Sequence, residues 1–270
     1  MPPDRETIRR FNVRYSAPVS EASLTVEREV IGANVGANGY TTVPQADVLA
    51  NELRLRPGLR LLDIGAGRGW PGLYLAKKSG CDVVMADLPL PGLAAALVRA
   101  DDDALSGRVS ILRATGERLP LKSGSFDAIV HTDTLCCIRA KLSVLRACLR
   151  ALRPGGKMAF YTIFIPLGLS RARYRRAADA GPRAVTSWGR SQTELLGAAG
   201  FTVVREEDVT AQFLATNHAW YEGRERFIDE LSEAEGANTV EERQCDCRIQ
   251  ERAIEDGLLR RGLFVAERPR

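Results

Sequence analysis

The chain has 270 residues, enough for one large α/β domain with a cap, and its 45% hydrophobic share excludes disorder of the whole chain. Lys and Arg total 38 against 34 Asp and Glu, a net charge of +4 with no dense basic block, which argues against a nucleic-acid binder. Only five of the 38 cations are Lys, a bias that reads as coding preference.

The first residues, Met1-Pro2-Pro3-Asp4, carry no apolar core of a signal peptide. The longest apolar stretch, residues 159–169, is interrupted by Thr162 and is shorter than the ~20 residues a membrane span needs. The expectation is a cytoplasmic protein without a membrane span. Cys81, Cys136, Cys137 and Cys148 lie in apolar or helical surroundings, and Cys245-Asp246-Cys247 has no second pair at zinc-like spacing, so no metal is expected.

Residues 1–43, rich in small residues around Gly32 to Gly39, read as loop. Pro44 fits the first turn of a helix running to about Leu53, which Pro57-Gly58 ends. From there short apolar strands alternate with helices. Strands are expected at 60–64, 82–86, 109–112, 127–131 and 157–163, with helices at 69–79, 91–105 and 138–152. Such alternation implies βαβ units and a parallel sheet covered on both faces. Further on come a charged helix at 171–180, a helix begun by Ser191 and ended by Gly200, and a strand at 201–204. Two or more helices follow between 212 and 260, then a last strand at 263–266.

The informative stretch is Asp63-Ile64-Gly65-Ala66-Gly67-Arg68-Gly69-Trp70, a D-x-G-x-G-x-G run at a strand-to-helix junction. Glycines there let the backbone turn tightly and approach a ligand, and a helix N-terminus offers free N–H groups. Asp87 closes the next strand, where an acid accepts the ribose hydroxyls of an adenosine. A dinucleotide site would put a third glycine at Trp70, and Asp63 is a poor neighbour for a diphosphate but suits an ammonium. The expected ligand therefore joins an amine and a carboxylate to an adenosine, which describes S-adenosylmethionine.

These residues resemble the class I S-adenosylmethionine-dependent methyltransferases. Asp63 to Gly69 is similar to the family's first motif, and Asp87 to its ribose-binding acid. Ala114 to Pro120 with Ser125-Phe126-Asp127 looks like the stretch that packs on the adenine, and Arg150 to Lys157 resembles the turn into the fifth strand. Thr115 stands where the family usually has an Asp, and Trp70-Pro71-Gly72 is an unusual start to the first helix. The resemblance implies a Rossmann-like, seven-stranded, mostly parallel sheet of order 3-2-1-4-5-7-6, with helices on both faces and a helical cap. It implies an N-terminal cap segment at 1–56, a cofactor-binding core at 57–163 and substrate-covering helical segments at 164–190 and 211–260. Asp63, Gly65, Ala66, Gly67, Asp87, Leu88, Thr115, Gly116, Glu117 and His131 are the expected cofactor contacts.

The expected activity is methyl transfer to a small-molecule or lipid-like acceptor. Neither the N/D-P-P-Y/F loop of amino-group enzymes nor a Pro-Cys nucleophile follows the fourth strand, where His131-Thr132-Asp133-Thr134 stands instead. An oxygen acceptor is preferred, with His131 at the strand's carboxyl end as the base; the alternative is that its ring packs beside the cofactor. His218 and the run Arg171 to Arg176 are weaker candidates for substrate contact, each more readily a surface feature. An NAD-dependent oxidoreductase and a non-catalytic S-adenosylmethionine-binding protein are the competing readings, and a homodimer is the assembly considered.

Overall fold

The computed structural model describes residues 5–187 and 189–270; Met1 to Asp4, read above as lacking a leader, and Trp188 lie outside the described residues. Seven strands form one sheet of order β3-β2-β1-β4-β5-β7-β6. They are β1 (Arg60–Ile64), β2 (Asp82–Asp87), β3 (Val109–Arg113), β4 (Phe126–Thr132), β5 (Leu152–Phe164), β6 (Thr202–Asp208) and β7 (Arg260–Glu267). All pairs are parallel except those of β7, which runs antiparallel between β5 and β6.

Side chains along a strand alternate between faces, so each face gathers every second residue. Leu61, Val83, Met85, Ala128, Val130, Ala159 and Val265 point to one face. There they meet Leu49 of α3 (Val43–Glu52), Leu73 of α4 (Gly72–Ser79) and Leu93 of α5 (Leu90–Asp102). Leu62, Ile64, Ile129, Met158, Phe160 and Phe264 point to the other face. They pack on Val144 and Leu145 of α6 (Lys141–Ala151) and Leu195 and Leu196 of α8 (Gln192–Ala199). Two apolar layers thus hold the sheet between helices, as the alternation required.

The loop expected over residues 1–43 is corrected by two helices, α1 (Arg5–Ser16) and α2 (Glu21–Ile31). Ser20 and Ser23 bond each other's backbone N–H groups in a capping box, and Gly32, at φ +99°, ends α2 in the left-handed conformation only glycine adopts freely. Among the described residues of this segment, the stretches 17–20 and 32–42 are irregular. Helix α7 (Arg171–Ala180) falls where the charged run predicts it. The C-terminal helical region resolves into α9 (Thr210–Arg226), α10 (Ile228–Glu235) and α11 (Ala237–Glu255). Trp220 of α9, Cys247 of α11, Val26 and Ile31 of α2 and Trp70 form a separate apolar cluster above the strand ends. Among the described residues no helix is long and apolar enough to cross a membrane.

One buried ion pair ties this upper layer to the sheet. Arg261 on β7, with no exposed side-chain surface, meets both oxygens of Asp133 just past β4, at 2.9 Å each. The same guanidinium donates to Thr41 Oγ1 at 2.7 Å and to Gln45 Oε1 at 3.0 Å, and lies over the Tyr161 ring at 4.7 Å. A fork of this kind is strong because its geometry is bidentate and its remaining N–H groups are satisfied. Arg261→Met should cost about 3–5 kcal/mol, because it leaves the Asp133 carboxylate buried without its counter-charge. The double variant Arg261→Met/Asp133→Asn should recover more than half of that loss. Urea denaturation of wild type and both variants measures it, and an unchanged single variant would show that the pair carries no stability.

Candidate active site

A cavity of about 450 Å³ opens at the carboxyl ends of the parallel strands, where ligands bind in open α/β sheets. Its floor comes from four consecutive strand ends: Gly65 to Arg68 after β1, Asp87 to Pro89 after β2, Ala114 to Glu117 after β3, and Thr132 to Thr134 at β4. Helices α1, α9 and α11 contribute the roof, including Tyr15, Trp220 and Cys247.

The glycine turn is held by backbone geometry. Gly65 N–H donates to the Ala86 carbonyl at 2.7 Å, and Gly65, Gly67 and Gly69 all have positive φ. Asp87 clasps the turn from the next strand. Its Oδ2 accepts from Gly67 N–H at 2.8 Å and its Oδ1 from Leu88 N–H at 2.7 Å, while the carboxylate faces the cavity. Burial raises its pKa from the usual carboxylate range, and the two N–H donors oppose that shift. Arg68 completes the turn by reaching up to the end of α1, where Nη2 donates to the carbonyls of Arg14, Tyr15 and Ala17 at 3.0–3.2 Å. Such carbonyls have no partner within the helix, so a cation there is well placed. Tyr15 consequently lies over Gly67. Burial pushes its phenol up, with Asp87 adding to the shift, so the hydroxyl stays protonated.

The structure brings Gly65, Ala66, Gly67, Asp87, Leu88, Thr115, Gly116 and Glu117 onto one wall. Asp63 stands behind that wall, fully buried. Its Oδ2 accepts from Gly72 N–H at 2.9 Å, its Oδ1 has no partner among the described residues, and burial raises its pKa well above the ordinary value.

His131 is a correction. Its side chain lies on the sheet face that holds Ile129 and Phe160, stacked on the Phe160 ring at 4.2 Å, and it does not line the cavity. Both ring nitrogens are buried without partners among the described residues, and desolvation lowers its pKa to about 3. The next residue, Thr132, faces the cavity instead. This placement gives His131 no path to an acceptor proton.

The remaining candidates separate as well. His218 is paired with Glu251 at 2.9 Å on the surface. The α7 run is a solvated face, with Arg173 and Arg176 held by Asp256 beyond the end of α11. Sequence reading missed Tyr15 and the cavity-lining arginines Arg14, Arg224 and Arg243. No local motif marks them, since they come together only through the packing of α1, α9 and α11. Among the described residues no group of three His, Cys, Asp or Glu side chains could hold a metal ion.

Residues 62–160 match the family described as a methyltransferase domain. The chain is 33% identical over 190 residues to 27-O-demethylrifamycin SV methyltransferase of Amycolatopsis mediterranei (strain S699), an overlap of 69% of this chain and 68% of that one. The chain belongs to the class I S-adenosylmethionine-dependent methyltransferases. It is also 30% identical over 208 residues to phosphoethanolamine N-methyltransferase 1 of Arabidopsis thaliana, spanning 75% of this chain but only 40% of that larger protein. Haemonchus contortus phosphoethanolamine N-methyltransferase 2, solved with phosphomonomethylethanolamine and S-adenosylhomocysteine, shares the fold. The TM-score is 0.76 at 20% identity, over 93% of this chain and 58% of that one.

The methyltransferase family's cofactor is S-adenosylmethionine, and the site suits its polar groups. Asp87 lines the cavity with its two oxygens on the Gly67 and Leu88 N–H groups, the glycine turn brings main chain to its edge, and Asp63 Oδ1, buried behind that wall, is an acceptor without a donor among the described residues. The NAD reading gives way to this family. Trp70, at the third glycine position of a dinucleotide site, is buried with its indole N–H on the Thr41 carbonyl at 3.0 Å.

Two expected outcomes follow from this geometry. A Cβ on Gly67 would meet the Tyr15 hydroxyl at 2.6 Å with φ at +52°, so Gly67→Val should abolish S-adenosylhomocysteine binding in calorimetry while the protein stays folded. Retained affinity would reduce the loop to a simple turn. His131 is neutral in the folded state down to about pH 3, whereas in the unfolded chain it takes up a proton near pH 6.5. Below pH 6.5 the unfolded state therefore binds the extra proton, and stability falls with pH at up to about 1.4 kcal/mol per unit. His131→Phe should flatten that slope between pH 6.5 and 4.5 by about one proton; identical slopes would contradict the buried neutral ring.

Proposed function

We propose that this methyltransferase moves a methyl group from S-adenosylmethionine to an oxygen atom of a small-molecule acceptor held under the cap. The observation that carries the reading is one continuous cavity, with the glycine turn and Asp87 on its floor and α1, α9 and α11 above. The cofactor supplies an electrophilic methyl group on a sulfonium. Asp87 would take the ribose hydroxyls, residues 65–67 would line the amino-acid end, and Thr115 to Glu117 would border the adenine. Asp63 would accept from the ammonium through its unpaired Oδ1 or hold the start of α4 in place.

Transfer of this kind needs collinear approach and exclusion of water more than covalent help from the protein. Tyr15 over Gly67 and the segment at residues 39–41 would exclude water. Trp220 Nε1 donates to the Gly39 carbonyl and Trp70 Nε1 to the Thr41 carbonyl, fixing that segment across the site. With His131 facing away, an acceptor oxygen that is already ionised, such as a carboxylate, suits the site better than a hydroxyl awaiting a base. The preference for oxygen draws on the rifamycin relative, which acts at an oxygen by name. Segments 1–56, 164–190 and 211–260 would then choose the acceptor.

Incubation with methyl-deuterated cofactor and a small-molecule extract, followed by mass spectrometry, should reveal a labelled ester or ether. A labelled amine or carbon product would overturn the oxygen assignment, and no labelled product would favour a binding protein. Asp87→Ala should raise the dissociation constant for S-adenosylhomocysteine at least about tenfold, through loss of charge-assisted bonds. A change below about twofold in a folded variant removes Asp87 from the cofactor site. Once the acceptor is known, the rate should be flat from about pH 6 to 8 and His131→Phe should keep it within about threefold. A fall of 10²–10⁴ would restore the base.

A further inference from the structure

The roof of the cavity holds more positive charge than its surroundings neutralise. Arg14 from α1, Arg224 from α9 and Arg243 from α11 all line it, and each is partly or largely buried. Arg243 is bonded to Glu235 and Asn38, and neighbouring Arg10 is bonded to Asp246. Arg14 and Arg224 differ. Among the described residues neither donates a side-chain hydrogen bond to the protein; they only lie over the rings of Phe11 at 5.8 Å and Trp220 at 4.7 Å.

Two partly buried guanidiniums at the cavity wall, with no protein acceptor among the described residues, leave their N–H groups to whatever fills the cavity. Electrostatics points the same way. Burial, then Arg243 and Arg10, lower Arg14 to about 10; burial, then Arg224, lower Arg243 to about 10; and Arg224 is lowered by burial and by Arg14. All three remain charged at neutral pH while repelling one another. Glu235 is bonded to Arg243 and Asp246 to Arg10, so neither carboxylate is bonded to Arg14 or Arg224. A structural role would place carboxylates against Arg14 and Arg224. A role in binding leaves their N–H groups for a ligand.

We infer that Arg14, Arg224 and Arg243 form an anion subsite in the roof, and that the methyl acceptor carries a carboxylate or phosphate group which docks there. This deepens the methyl-transfer reading and rests on it. Guanidinium forks match both groups through paired N–H···O bonds. Phe11, Ile138 and Ile163 line the same cavity, so the acceptor's body is apolar. The charged head would fix the body's direction and bring one atom towards the glycine turn. The exposed run on α7, the sequence's own candidate for attracting anions, is not part of this subsite.

Thermal unfolding of the full chain, saturated with S-adenosylhomocysteine, tests the inference with inorganic phosphate and acetate as probes. At about 20 mM, against sodium chloride of equal ionic strength, at least one probe should raise the midpoint by about 3 °C or more. The larger response distinguishes a phosphate from a carboxylate head. Arg14→Met, Arg224→Met and the double variant should lose the response, with unliganded midpoints no lower than wild type, because an unpaired charge has been removed. Arg175→Met on α7 should keep it. The idea is overturned if neither probe acts on wild type, which would mean solvated arginines only, or if the variants respond as wild type does. It is equally overturned if the response exists without S-adenosylhomocysteine but vanishes on saturation, since the subsite would then belong to the cofactor's carboxylate. Calorimetry with S-adenosylhomocysteine alone separates the two readings. Failure of the wild type to bind it defeats methyl transfer, whereas the probe arms of the cofactor-free protein still report on the arginines.

Discussion

Asp133 stands at the point where β4 stops and the chain must turn beneath the cap, with φ at +51°. The fully buried guanidinium of Arg261 takes both of its oxygens and also reaches Thr41 and Gln45. One side chain thereby joins the antiparallel β7, the end of β4 and the segment that enters α3. The Tyr40 N–H, at 3.4 Å from Asp133 Oδ2, and the Tyr40 hydroxyl, at 2.8 Å from Gln250, extend the connection to α11. Sheet and roof are therefore referenced to the same ion pair, and the cavity between them inherits that registration.

A second clasp acts from the floor. Arg68 lies inside the glycine turn yet bonds the last carbonyls of α1, and Glu27 Oε1 accepts from Val35 and Ala37 N–H at 3.0 and 2.6 Å. Glu27 thus partners the backbone of the glycine-rich stretch after α2, and Arg68 ties the end of α1 to the turn.

The core was legible because its signals are local. Glycines at positive φ, an acid at a strand end and alternation of apolar residues each work within a few neighbours, so Gly65, Gly67 and Asp87 could be read at once. The N-terminal helices were not legible because the glycines of residues 32–39 dominate the composition there, and α1 buries none of its own residues fully. His131 shows where periodicity stops informing. A residue one place before the strand's end belongs to one face or the other according to register, and pairing with Phe160 puts it against that ring. Arg14, Arg224 and Arg243 belong to three helices spread over most of the chain, and only tertiary packing makes them neighbours.

All three arginines also fall outside residues 62–160, the stretch that matches the family. On the proposed reading, exchange of roof residues would change the acceptor while the glycine turn and Asp87 stay intact. The freedom is unequal among the helices, because the end of α1 is bonded to Arg68 of the glycine turn. A change that shifts α1 also disturbs the turn, whereas among the described residues α9 and α11 do not bond it. Evolutionary drift in acceptor choice is expected to concentrate on the faces of α9 and α11 that overlook the cavity, with the end of α1 varying least.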